Sequence, residues 1–318
     1  MKNIYSNIYK SNSTNLMKAK KNIENNNVIG IPTETVYGLA GNAYSNKSVL
    51  KIFKLKKRPI FNPLIIHFKD LKSLKNDAVL NDNFIKLYKA FSPGPITYIL
   101  NKKKNSRVVK IATAKKNTIA VRVPKHNIAR KLLSLLKVPL AAPSANISSK
   151  LSPTSPDDIV DEFKKKIKFI LDGGRSEIGL ESTIIDLTGS PRILRPGCID
   201  SKKIGKVLKK KIIINKKIRK IKSPGQLKSH YSPGIPVKIN SKISKKNEAV
   251  IVFGKKLKIK KNHFNLSKNG DLNEAANNLY KTLRLIKNSG FKSIIVNKIP
   301  NTGIGLAIND RLKRASNK

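Results

Sequence analysis

The chain predicts an α/β fold in two parts: a larger unit built on a mixed sheet with helices, and a smaller α/β unit at the C-terminal end. Three observations predict it. Short apolar runs of strand length alternate with amphipathic stretches of helical period along most of the chain. Proline, glycine and polar clusters separate them at short intervals. Between residues 202 and 222 the composition shifts, with eleven of 21 residues Lys or Arg and no Asp or Glu. A length of 318 residues leaves room for two domains.

The elements follow in order. Ser11 to Asn26 predicts a helix, capped at Ser13 or Thr14, with Leu16, Ala19 and Ile23 on one face. Val28–Ile31 predicts a buried strand that ends at Pro32, which has no N–H for a ladder. Thr33-Glu34-Thr35-Val36-Tyr37 then places polar groups at the strand end, and Gly38 offers a turn or a close approach to a ligand. After a cap at Ser45–Ser48, residues 49–55 give a short helix that stops before Pro59. Leu64–Phe68 is a second strand, Asp82–Phe91 a helix, Thr97–Leu100 a strand, and Thr118–Val123 an alternating strand ended by Pro124. Asn127–Leu136 is a helix, Leu140–Ala142 a short strand, Asp157–Lys166 a helix, and Phe169–Asp172 and Ser182–Leu187 strands. Ile193–Gly197 closes the set. Residues 202–235, with Ser223-Pro224-Gly225 and Ser232-Pro233-Gly234 as turns, predict an interdomain connection. Strands at 236–239, 249–253 and 293–296, with helices over 271–288 and 305–315, make the smaller unit.

Composition narrows the class. One cysteine, Cys198, excludes an internal disulfide and a cysteine-based metal site, and suits a reducing cytoplasm. No apolar run approaches the ~20 residues needed to span a bilayer, so no membrane role is expected. The first 27 residues hold Lys but no Arg and lack the apolar core of a signal peptide. The net charge of +49 fits binding to nucleic acid. It equally fits compositional drift, since Lys, Asn and Ile are abundant throughout, and drift is the reading favoured for most of it.

Four clusters carry candidate chemistry. Lys56-Lys57-Arg58-Pro59, with Asn62 beyond, places a point charge and a planar fork where a polyphosphate could be held, although cations at a helix C-terminus are common on dipole grounds. Pro143-Ser144-Ala145-Asn146 follows a strand and suits a phosphate or a ribose, or a local turn. Arg122 shares a strand face with Thr118 and Ala120, and an Arg on an apolar strand needs an anion partner, which a small carboxylate ligand would supply. The phosphate-binding glycine loops of common nucleotide sites are absent, and the four histidines show no metal spacing. Positioning and charge stabilisation are what remain.

Taken together, these stretches resemble the threonylcarbamoyl-AMP synthase family, the YrdC-type fold. The resemblance runs through residues 32–39, 56–59, 62–67, 92–97, 120–124, 142–146, 181–186 and 195–197, and its Lys-x-Arg and Ser-x-Asn pairs stand as Lys56/Arg58 and Ser144/Asn146. His230-Tyr231-Ser232-Pro233 looks like the linker of the longer members, with Ser where Ala is more usual. The resemblance implies a YrdC-like twisted mixed sheet with a basic concave face over 12–201, a linker over 202–235, and a small Rossmann-like domain over 236–318. It implies a nucleotidyltransferase joining L-threonine, bicarbonate and ATP, with a partner enzyme passing the threonylcarbamoyl group to tRNA. Lys56, Arg58, Ser144 and Asn146 would be catalytic. Thr35, His67, Arg122, Ala142 and Ser182 would bind threonine. Arg58, Asn62, Thr118, Ser144, Ser152, Arg195 and Tyr231 would hold ATP, and Mg²⁺ would ride on its phosphates without protein ligands. The main alternative is a double-stranded-RNA-binding module without catalysis. A carbamoyl-adenylate step in hydrogenase maturation is disfavoured, since that resembles part of a much larger, Cys-rich protein, and the intact paired motifs argue against a lapsed site.

Overall fold

A computed structural model describes residues 7–214, 230–239, 247–255 and 260–317. The larger unit contains β1 (Ile8–Lys10), α1 (Ser13–Glu24), β2 (Ile29–Ile31), β3 (Gly38–Asn42), α2 (Asn46–Lys56), β4 (Ile65–His67), α3 (Leu71–Leu74), α4 (Asp82–Phe91) and β5 (Ile96–Asn101). It continues with β6 (Thr118–Arg122), α5 (Asn127–Leu135), β7 (Leu140–Ala141), α6 (Pro156–Phe163), β8 (Ile170–Asp172), β9 (Thr183–Asp186), β10 (Arg192–Arg195), α7 (Ser201–Leu208) and β11 (Ile213–Ile214). The smaller unit holds β12 (Val237–Ile239), β13 (Glu248–Val252), β14 (His263–Asn265), α8 (Leu272–Asn288), β15 (Ser293–Val296) and α9 (Gly305–Ser316).

The larger sheet has eleven strands in the order β1-β8-β2-β3-β7-β4-β6-β5-β9-β10-β11, and it is mixed, as expected. β4 and β6 run parallel in a register that pairs His67 with Arg122, while β7 runs antiparallel to β4. Because strand side chains alternate, the sheet has two different faces. Ile66, Val121, Tyr98, Ile185 and Ile193 face the main core. Ile65, Ala120, Ile99, Ile184 and Leu194 form a small apolar patch on the other face, beside His67 and Arg122. The smaller sheet is wholly parallel, in the order β12-β15-β13-β14.

Helix ends follow local chemistry. Asn12 caps α1, in place of the expected Ser13 or Thr14, by accepting from the Asn15 amide. Ser45 caps α2, and Lys57 ends it in the left-handed region at φ 48°. Ser155 and Asp158 form a capping box with Pro156 in the first turn of α6. That helix ends at Phe163 rather than Lys166, and a 3-10 turn covers Lys164–Lys166.

Two other expectations change. Of the two uses expected for Gly38 the turn falls, since it opens β3 and pairs with Ile31, while its place in the wall of a cleft agrees with the other, a close approach to a ligand. The basic stretch read as connection is structured at its start: α7 and β11 lie there, and Ile204, Leu208 and Ile212 join the main core. Amphipathic burial, rather than charge count, decides that segment. Residues 215–229, including the expected Ser223-Pro224-Gly225 turn, lie outside the described residues. The two units share a core in which Val36, Leu151 and Leu180 of the first pack with Tyr231, Ala276, Leu279, Tyr280 and Leu312.

Candidate active site

The cleft lies over the second sheet face, where β4, β6 and β7 meet the loops after β2 and before β9. Its cavity is small, about 40 Å³.

One end is built around Arg122. Its Nη1 donates to Thr35 Oγ1 at 2.9 Å and its Nη2 to Glu34 Oε1 at 2.7 Å. The anion that this strand arginine needs is therefore Glu34, a residue of the chain rather than a ligand alone. Both partners are 4% exposed. Burial pushes the Glu34 carboxyl up, but the Arg122 charge and hydrogen bond bring it below its usual value. Thr33 fixes the turn by donating to the Val36 carbonyl at 2.6 Å, with Thr35 Oγ1 2.9 Å away. His67 stands beside Arg122, and its buried Nδ1 has no hydrogen-bond partner among the described residues. Burial, then the Arg122 charge, hold its pKa well below the ordinary value, so the ring is neutral at pH 7.

The other end is cationic. Arg58 lines the cleft with Nε on the Asn62 carbonyl (2.9 Å) and Nη2 on Asn62 Oδ1 (2.7 Å) and the Pro63 carbonyl (2.8 Å). Burial, then Arg195, lower its pKa to about 9. Arg195 holds the Ser182 carbonyl and hydroxyl, each at 3.1 Å, and Ser182 Oγ also meets Thr97 Oγ1 at 2.7 Å. Neither Arg58 nor Arg195 forms an ion pair among the described residues. His230 and Tyr231 cover this part, with Ser232 N on the Ser149 carbonyl at 2.8 Å. The Tyr231 hydroxyl is buried and without a hydrogen-bond partner among the described residues.

Of the expected site residues, Thr35, Arg58, His67, Arg122, Ala142, Ser144, Ser182, Arg195 and Tyr231 line this one cleft. Five do not. Lys56 is buried behind it, its ammonium held at 2.5 Å by the carbonyls of Ser144 and of Asn146. Asn146 gives its amide to the carbonyls of Ile147 and Lys150. Asn62 orients Arg58. Ser152 donates to Glu181. Thr118 lies at the far end of β6, paired with Asn101. Lining residues not expected include Thr33, Ile65, Glu181 and His230. Glu181 and His230 stand directly before Ser182 and Tyr231 in the quoted stretches, and that adjacency was the available signal.

Residues 21–197 match the family model described as "Telomere recombination", that of the Sua5, YciO and YrdC proteins. Residues 199–317 match the model described as "Threonylcarbamoyl-AMP synthase, C-terminal domain". The threonylcarbamoyl-AMP synthase of Pyrococcus abyssi is 38% identical over 92% of each chain. The chain belongs to the threonylcarbamoyl-AMP synthase family. The Bacillus subtilis member is 33% identical over 96% of this chain and 94% of its own. The crystal structure of P. abyssi Sua5 complexed with L-threonine matches with a TM-score of 0.88 at 35% identity, covering 98% of this chain and 97% of that one. As a member of this family the chain is an enzyme, a transferase, with the two-domain α/β architecture of its longer relatives. Among the described residues, no helix is long and apolar enough to cross a membrane.

Proposed function

We propose that the chain condenses L-threonine, bicarbonate and ATP into threonylcarbamoyl-AMP and pyrophosphate, for N6-threonylcarbamoyladenosine formation in tRNA. The observation that carries this reading is the division of one small cleft. A neutral, ion-paired end (Thr35, His67, Arg122, Ser182) adjoins an end with two buried arginines, Arg58 and Arg195, that lack ion-pair partners among the described residues. The L-threonine complex of the P. abyssi relative supports assigning the first end to threonine.

In this reading the threonine carboxylate shares Arg122 with Glu34, and Ala142 and Ser182 border its side chain. Bicarbonate takes up a proton and gives CO₂ and water; the threonine amine adds to the CO₂, losing a proton, to give a carbamate. A carbamate oxygen then attacks the α-phosphorus of ATP in line, and the bond to the leaving pyrophosphate breaks. Arg58 and Arg195 spread over the phosphate oxygens as negative charge builds on the leaving group. Lys56 holds the Ser144–Asn146 loop in place, which sets where Ser144 meets the nucleotide. Asn62 aims Arg58, and Tyr231 closes on the nucleotide from the linker. His230 is held to a pKa of about 3, chiefly by burial, and stays neutral beside the cations. The carbamate decomposes in water, so the buried cover of His230 and Tyr231 serves to exclude it.

Among the described residues no group of three or more His, Cys, Asp or Glu suits a metal ion. Mg²⁺ would ride on the ATP phosphates, where it would supply charge neutralisation. A threonylcarbamoyl-transferring enzyme is the expected consumer of the product, with tRNA as final acceptor and the cytoplasm as compartment. The test is mass-spectrometric detection of threonylcarbamoyl-AMP in reactions with ¹³C-bicarbonate. A labelled adduct supports the reading, and ATP consumption without it overturns it.

A further inference from the structure

We propose that the C-terminal unit supplies positioning residues to the cleft, Arg311 of α9 and Tyr280 of α8. They act through Glu181 and Tyr231, and they set the ATP end rather than the threonine end. This rests on the proposed synthase reading.

The geometry is a closed buried knot. Glu181 lines the cleft, yet its carboxylate is turned to the other unit. Arg311 Nε donates to Glu181 Oε2 at 2.8 Å, and the Tyr280 hydroxyl lies 3.0 and 3.1 Å from the two oxygens. Ser152 donates to Oε1. The Arg311 guanidinium also sits over the Tyr231 ring, 5.1 Å from its centroid, and Tyr231 stacks on Tyr280 at 6.0 Å. Arg311, Tyr280 and Tyr231 are each 0–1% exposed. Tyr231 has φ 63°, an uncommon setting for a tyrosine, which its surroundings must hold. Asp310 occupies Arg311 Nη1 at 2.8 Å, so the guanidinium is fixed on two sides.

The knot has an economical role in the reaction. Glu181 precedes Ser182, whose carbonyl and hydroxyl hold Arg195. Fixing the Glu181 carboxylate therefore fixes the backbone from which Arg195 is aimed, while Arg311 and Tyr280 hold the Tyr231 ring in the cleft. Among the described residues no hydrogen bond joins Arg122, Glu34, Thr35 or His67 to Arg311 or Tyr280; the two ends meet at Ser182, whose carbonyl and hydroxyl are occupied by Arg195.

The experiment measures pyrophosphate release by the full chain with ATP and threonine varied separately. Wild type is run first: if it shows no threonine-dependent release, the synthase reading falls, and this proposal falls with it. With wild type active, Tyr280→Phe keeps the stacked ring and removes the hydroxyl. It is expected to raise the KM for ATP at least fivefold while leaving that for threonine within twofold. Arg311→Ala risks misfolding by stranding Glu181, so Arg311→Met is paired with Glu181→Gln, removing both charges at once. The folded double variant is expected to keep a tenfold or greater ATP defect. Recovery of wild-type kinetics in the double variant, or equal effects on both substrates in Tyr280→Phe, would reduce the knot to a structural ion pair and overturn the proposal.

Discussion

Lys56 and Arg58 lie two residues apart, yet they stand in different surroundings. Arg58 faces the cleft with its Nε and Nη2 anchored, whereas Lys56 is spent on two loop carbonyls. Arg58→Ala is therefore expected to abolish pyrophosphate release in a chain that still folds, with some loss of stability because it strands acceptors on Asn62 and Pro63. Lys56→Ala is expected to lose activity together with stability, since stranded buried carbonyls cost about 1–3 kcal/mol each. An inactive Lys56→Ala with wild-type stability would instead put Lys56 in direct contact with the polyphosphate. Acid sensitivity also resides in single groups. His230 has its pKa lowered from 6.5 to about 3, chiefly by burial, so the unfolded chain takes up a proton first. Its stability contribution declines as pH falls below 6.5, by about 3 kcal/mol at pH 4. Glu181 is held at about 2 against burial by Arg311 and Arg195, so its contribution is complete above 4.5 and lost below that, down to 2. Both signs agree, and denaturant unfolding from pH 7 to pH 4 should show a steady fall in stability; a flat profile would contradict the buried neutral histidine. Thr35, Arg58, Arg122 and Ser144 stood out in the sequence as polar groups at strand and helix ends or on an apolar strand, whereas His67, Ala142, Ser182, Arg195 and Tyr231 were expected only through the family resemblance. Their partners were not readable from sequence. Glu34 lies 88 residues from Arg122, and Arg311 lies 130 from Glu181, so only the folded chain brings them together.

At the scale of elements, most strands and helices were readable from periodicity and breakers. The misses have physical causes. β3 reads Gly-Leu-Ala-Gly-Asn, with no β-branched residue, and gains its strand form from pairing with β2 and β7. α7 hides its apolar spacing, Ile204 and Leu208, within a lysine run. The strand order, with β7 inserted between β3 and β4, follows from long-range pairing that no local pattern encodes. α8 is the element that binds the two units. Its Asn277 donates to the Ser176 and Glu177 carbonyls, and its Arg284 to those of Leu151 and Ser152. Gly179, at φ +75°, lets the chain pass close: a Cβ there would lie 2.6 Å from the Asn277 Cα. Gly179→Ala is expected to cost at least about 2 kcal/mol through strain and displacement of α8. A thermal melt should show a lowered or split transition, and an unchanged single transition would contradict the close docking of α8.

For the molecule as a whole, the central matter is whether the cleft or the charge of +49 defines the protein. The shared core of the two units, and the convergence of nine expected residues on one cleft, favour the cleft. Charge alone would need only exposed Lys and Arg, and would not require Arg58, Arg122 and Arg195 to be buried, at 4–8% exposure. The most direct measurement is pyrophosphate release from ATP by the purified full chain, with threonine and bicarbonate each omitted in turn. The cleft account predicts release that requires both. Release indifferent to threonine, or no release from a folded chain that instead binds structured RNA with a steep salt dependence, would contradict it.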